Sequence, residues 1–146
     1  MARFSAGILP TGAGSTTLPM ASLMAAAAVR PRVREVGVFS TTATGFNVAL
    51  RRITVAGATH AAETEIYEDD SSATATATVV NVDTGTAPTL AAGYVRIATL
   101  ASAIGAGIIW TFGGNGLIIP DGTANGLAVI GLNTPQICTV YFVWDE

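Results

Sequence analysis

Gly107-Ile108-Ile109-Trp110-Thr111-Phe112, then Gly113-Gly114-Asn115-Gly116, then Leu117-Ile118-Ile119-Pro120, is the stretch whose reading decides the fold. Two short apolar runs rich in β-branched and aromatic side chains flank a glycine-asparagine turn, which is the pattern of strand, turn and strand. Asp121-Gly122 and Asn125-Gly126 repeat the turn signal, and Gly126 to Leu132 and Gln136 to Trp144 repeat the strand signal. Upstream, Tyr94 to Leu100, Ala73 to Val82, Thr64 to Tyr67, Gly45 to Val55 and Arg34 to Phe39 have the same character. Gly45 to Val55 alternates through Phe46, Val48 and Leu50, then shifts to Ile53 and Val55 across Arg51-Arg52, which predicts a β-bulge there. About nine short strands without intervening amphipathic helices predict an all-β chain, a jelly-roll-like sandwich of two sheets. The alanine-rich segment Leu100 to Ile104 leaves a helical turn open as the alternative to strand.

Ahead of this body, Gly7, Pro10, Gly12, Gly14, Pro19 and Pro31 interrupt every regular pattern. Residues 1–33 therefore read as an extended N-terminal arm and residues 34–146 as the β-sandwich domain, with Ala25 to Ala28 a short helix ended by Pro31. Charge divides at almost the same place. Arg3, Arg30, Arg32 and Arg34 stand in residues 1–34 without an acid, whereas the rest carries ten acids against three arginines. A basic segment on an acidic body suits docking onto an acidic neighbour, so these four arginines are the candidate partner-binding residues, for a capsid lattice or a neighbouring subunit. A solvated arm is the plainer alternative. With Arg30 held extended by Pro31, the three even-numbered arginines are expected on one side of the chain. No lysine is present and no aromatic lies between Arg30 and Arg34, which makes a thin phosphate site and argues against nucleic acid.

Chemistry finds little footing. His60 is the sole histidine and Cys138 the sole cysteine, so a triad, a zinc site and an internal disulfide lack their parts. Cys138 lies in an apolar run and reads as a small core residue, and His60 as a loop residue. The cluster Glu63, Glu65, Glu68, Asp69, Asp70 lacks the alternate ligand spacing and central glycine of a calcium loop. Gly105-Ala106-Gly107 and Gly113 to Gly116 lack the lysine of a phosphate loop. Trp110, Phe112, Tyr141, Phe142 and Trp144 fall in predicted strands, where core or interface packing is the default and a sugar platform the sharper alternative. No catalytic residue, metal or cofactor is expected. No window holds the ~18 apolar residues of a membrane span, so no membrane partner is expected either.

The run Gly105 to Pro120, the turn Gly122-Thr123-Ala124-Asn125-Gly126 and the ending Gln136 to Glu146 resemble small structural proteins of tailed bacteriophages. The resemblance covers about residues 35–146 and rests on turn and strand texture, so it carries over no site residues. It implies a virion structural protein on the capsid surface, a decoration or cement subunit that binds the major capsid protein and copies of itself, as a homotrimer. The shortage of charge, 12% of the chain, agrees with a surface hidden against partners. A receptor-binding module of a tail fibre is the alternative implied.

Overall fold

The computed structural model describes residues 1–58, 61–69, 74–82 and 85–146. Its strands form two antiparallel sheets packed face to face. The first sheet holds β1 (Arg3–Ile8), β3 (Arg32–Ser40), β5 (Ile66–Tyr67), β9 (Gly107–Thr111), β10 (Leu117–Ile118) and β12 (Cys138–Asp145). The second holds β2 (Ala21–Met24), β4 (Phe46–Val55), β6 (Thr78–Asn81), β7 (Thr89–Leu90), β8 (Arg96–Leu100) and β11 (Gly126–Leu132).

The winding is that of a jelly roll. β9 and β10 share one side of β3, and β7 and β8 share one side of β4, so each pair occupies a single strand position. The chain then pairs β1 with β12, β2 with β11, β3 with β9/β10 and β4 with β7/β8. Successive pairs fall in opposite sheets, and the lateral contacts β12 to β3 and β11 to β4 close the roll. β5 and β6 lie outside this scheme. They come from the connection between β4 and β7 and add one strand beside β1 and one beside β2. Both strands therefore cover edges that would otherwise stand open.

Between the sheets lies a core that includes Phe4, Leu23, Leu50, Leu127, Phe142 and Trp144, all at most 1% exposed. Phe142 and Trp144 share the inner face of β12, and Trp110 points into the same core from β9. Cys138 is fully buried there, and burial pushes its thiol up to about 12, which removes it as a nucleophile.

Three expectations are corrected. Residues 1–33 are no arm: Phe4, Ala6 and Ile8 enter the core from β1, which lies between β12 and β5, and β2 is buried along its whole length between β6 and β11. Small side chains hide this alternation, because Ala6 and Gly7 contrast little in hydropathy. The Ala25 to Ala28 helix is absent; the segment leaves β2 through a turn at Ala27-Ala28. No bulge falls at Arg51-Arg52 itself, where β4 and β11 keep one register from Asn47↔Leu132 to Ile53↔Gly126; β4 shifts register further on, between Ile53 and Val55 against β7. Regular alternation puts Leu50 inside and Ile53 outside. The shift in pattern arises because the outside of this sheet is itself buried, in a second cluster of Met24, Ala49, Ile53, Val80, Ala128 and Ile130.

Candidate functional site: an arginine cluster around Asp145

β12 alternates Phe142 inward, Val143 outward, Trp144 inward, so Asp145 must face outward at the end of the strand. The register sets Arg3 of β1 opposite Asp145 on one side and Arg32 of β3 opposite it on the other. Between Val143 and Trp144 the β3 pairing shifts: Val143 opposes Glu35 and Trp144 opposes Val33, leaving Arg34 as the extra residue of a bulge. That bulge turns Arg34 onto the same carboxylate. Arg3 Nε donates to Asp145 Oδ1 at 2.8 Å, and Arg34 Nε donates to Oδ2 at 2.5 Å. Arg34 Nη1 also donates to the Gly114 carbonyl at 2.5 Å, tying the turn between β9 and β10 to the cluster.

The Asp145 side chain is 7% exposed. Burial alone would raise its pKa, but the hydrogen bonds and charges of Arg3 and Arg34 outweigh it and hold the carboxyl below its ordinary range. Arg3 is raised in turn, first by its hydrogen bond to Asp145 and then by that charge. Arg30 and Asp121 stand 4.0 Å apart with side chains 64% and 58% exposed, a pairing that contributes little.

Beside the cluster opens a cleft of about 280 Å³, lined by Met1, Ala28, Val29, Arg30, Arg32, Ile118, Asp145 and Glu146. Its wall includes Ala28 in the left-handed conformation, φ 62°, where a side chain is rarely found. The neighbouring Ala26 carbonyl accepts from Gly122 N at 2.9 Å, which anchors this turn to the loop before β11. The structure thus brings all four expected arginines into one region, but not as a free row. Arg3 and Arg34 are committed to Asp145, while Arg30 and Arg32 face the cleft. Sequence reasoning missed Asp145 as the organiser; its signal was an acid one position beyond an inward tryptophan. Two guanidinium groups beside Met1, Val29 and Ile118 can hold a carboxylate or another anion, with Asp145 and Glu146 also on the wall. Comparison with protein families, curated proteins and solved structures yields no match.

The other expected groups are dispersed. Glu63 Oε1 accepts from Asn81 Nδ2 at 2.6 Å and Glu65 Oε1 accepts from the Val79 amide at 3.3 Å, so these acids brace β6. No group of three or more metal-ligating side chains occurs among the described residues. His60 and Asp70 lie outside them. No helix among the described residues is long and apolar enough to cross a membrane.

On the outer face of the first sheet, Tyr141 lies flat over Gly37, where an added Cβ would fall 2.0 Å from its ring. Its hydroxyl donates to Glu35 Oε1 at 2.5 Å. Burial first, and then this bond and the Glu35 charge, push the phenol up to about 12. Phe39 stacks on Tyr141 with ring centres 6.4 Å apart and lies across Gly107. The two aromatic rings thereby cover cross-strand glycines, which pins the register of β3 against both neighbours.

Proposed function

We propose that the chain is a structural subunit of a virion, a cement or decoration protein that docks on a phage head through its arginine end. The observation that carries this reading is the cleft in which Arg30 and Arg32 stand beside the Asp145 cluster, on a rigid jelly roll. Because Arg3 and Arg34 are already held on Asp145, the guanidinium groups left for a neighbour are Arg30 and Arg32 of the cleft. A fixed surface of this kind loses little entropy on docking. Acidic side chains of the major capsid protein are the partner its charge fits, and the resemblance of residues 35–146 to small phage structural proteins supports the same assignment.

Binding of the purified protein to undecorated heads tests this. Arg30→Ser with Arg32→Ser is expected to weaken binding at least tenfold and to flatten its salt dependence, with the fold unchanged by circular dichroism. Unchanged affinity and salt dependence in the double variant, or no binding by the wild type, would remove the reading.

A further inference from the structure

From Ile97 to Pro120 the chain carries no charged residue. This stretch contains β9 and all of β8 except its first residue, Arg96; the two strands end their sheets on the same side of the sandwich, β8 pairing only with β4 and β9 only with β3 among the described residues. Ile97, Ile104 and Ile109 on this side are 53%, 74% and 48% exposed. The opposite side is guarded. There β5 is followed by Glu68 and Asp69, and β6 is overlaid by a bridge from Ala62 to Val80. An edge strand normally carries a charge, a proline or a bulge that prevents another chain from adding to it. β9, Gly107–Thr111, carries none of these.

We propose that β9 is a self-pairing edge, on which a second copy of this chain docks antiparallel through the same strand. The occupant follows from charge. Two chains of net charge −3 repel over most of their surfaces, and the strip from Ile97 to Pro120 lets them meet without a like-charge contact. The arginines that reach this strip are already engaged, Arg96 over the Phe112 ring at 5.3 Å and Arg34 on the Gly114 carbonyl. A charged partner therefore finds little to pair with, whereas an identical strand supplies backbone donors and acceptors in the same spacing. Side-chain geometry permits the contact. Trp110 points into the core opposite Val36, so Ile109 points outward beside Gly37. A two-fold axis at Ile109 sets it against its own copy and sets Gly107 against Thr111, which pairs a small residue with a medium one. The apolar strip then runs on through Tyr141 and Phe39. Self-pairing of one strand demands a closed dimer, in place of the trimer expected from composition and resemblance. This inference does not rest on the docking function, and it is read without any particle.

Sedimentation equilibrium of the full chain at micromolar concentration is expected to give a dimer. Ile109→Lys and Thr111→Lys should each give a monomer with unchanged circular dichroism, because both positions are exposed and neither enters the core. Ile66→Lys, on the guarded side, should stay dimeric. Amide exchange at 107–111 should slow as concentration rises. A monomeric wild type, a trimer, or a dimer that survives both β9 substitutions and yields to Ile66→Lys would overturn the proposal.

Discussion

Asp145 shows how one buried acid organises two basic residues. Its carboxylate is nearly enclosed, with a guanidinium on each oxygen, and two strands and a bulge are arranged to deliver those groups. Removing its charge strands Arg34, whose side chain is only 22% exposed. Asp145→Asn is therefore expected to cost about 2 kcal/mol at neutral pH, the scale of a hydrogen bond to a charged group. Its pKa is lower in the folded chain than in the unfolded one. The stabilisation is thus complete above the unfolded value near ~3.9 and is lost as pH falls through the folded value. Urea unfolding of both proteins between neutral and acid pH checks this, and the gap between them should close only below about pH 4. A gap that persists unchanged into strong acid would assign the loss to packing instead of charge.

Among the elements, those most legible in the sequence are the ones with high contrast. β9, β11 and β12 combine large apolar residues with glycine turns and appear where their patterns place them. The Gly113 to Gly116 turn makes no hairpin, however, since β9 and β10 both pair with β3 and not with each other. β1 and β2 were illegible for a physical reason. Arg-Phe-Ser-Ala-Gly-Ile alternates as strictly as any strand here, yet Ala6 and Gly7 give it almost no hydropathy difference, and the Pro10 and glycines that follow suggest a linker. The pairing of Arg3↔Asp145 through Ile8↔Val140 exists only after folding, so local pattern cannot display it. The candidate site shares that limit: its arginines were visible as a charge imbalance, while their common partner lies more than a hundred residues away. Deletion of residues 1–33 tests the integrated role of these strands. It removes Phe4, Ile8, Met20 and Leu23 from the core and opens the middle of both sheets. The truncated chain is expected to be unfolded, since a single large-to-small core change already costs roughly 2–5 kcal/mol and total stability is about 5–15. A cooperative melting transition in the truncated protein would restore residues 1–33 to the status of an arm.

At the scale of the whole molecule, the jelly roll is held together by partners distant in sequence. β1 pairs with β12, β2 with β11 and β3 with both β12 and β9, so no sheet can form from one local stretch. The first sheet needs residues 3–8 between β12 and β5, and the second needs residues 21–24 between β11 and β6. Loop closure must therefore precede most of the favourable contacts, which places folding in the slow regime of all-β domains, about milliseconds to seconds. Interleaving of the two sheets also leaves no part able to persist alone. Strands before β4 and after β7 contribute to each sheet, and Arg52 of β4 donates across the sandwich to the Ile118 carbonyl at 2.8 Å. Unfolding is thus expected as one transition, with fluorescence of the buried Trp144 and far-ultraviolet circular dichroism tracing the same curve. Stopped-flow refolding should show β1 and β12 amides gaining protection together, because each is the other's hydrogen-bonding partner. Microsecond refolding, or protection of β12 well ahead of β1, would mean that half of the roll forms a stable unit before its middle strands arrive.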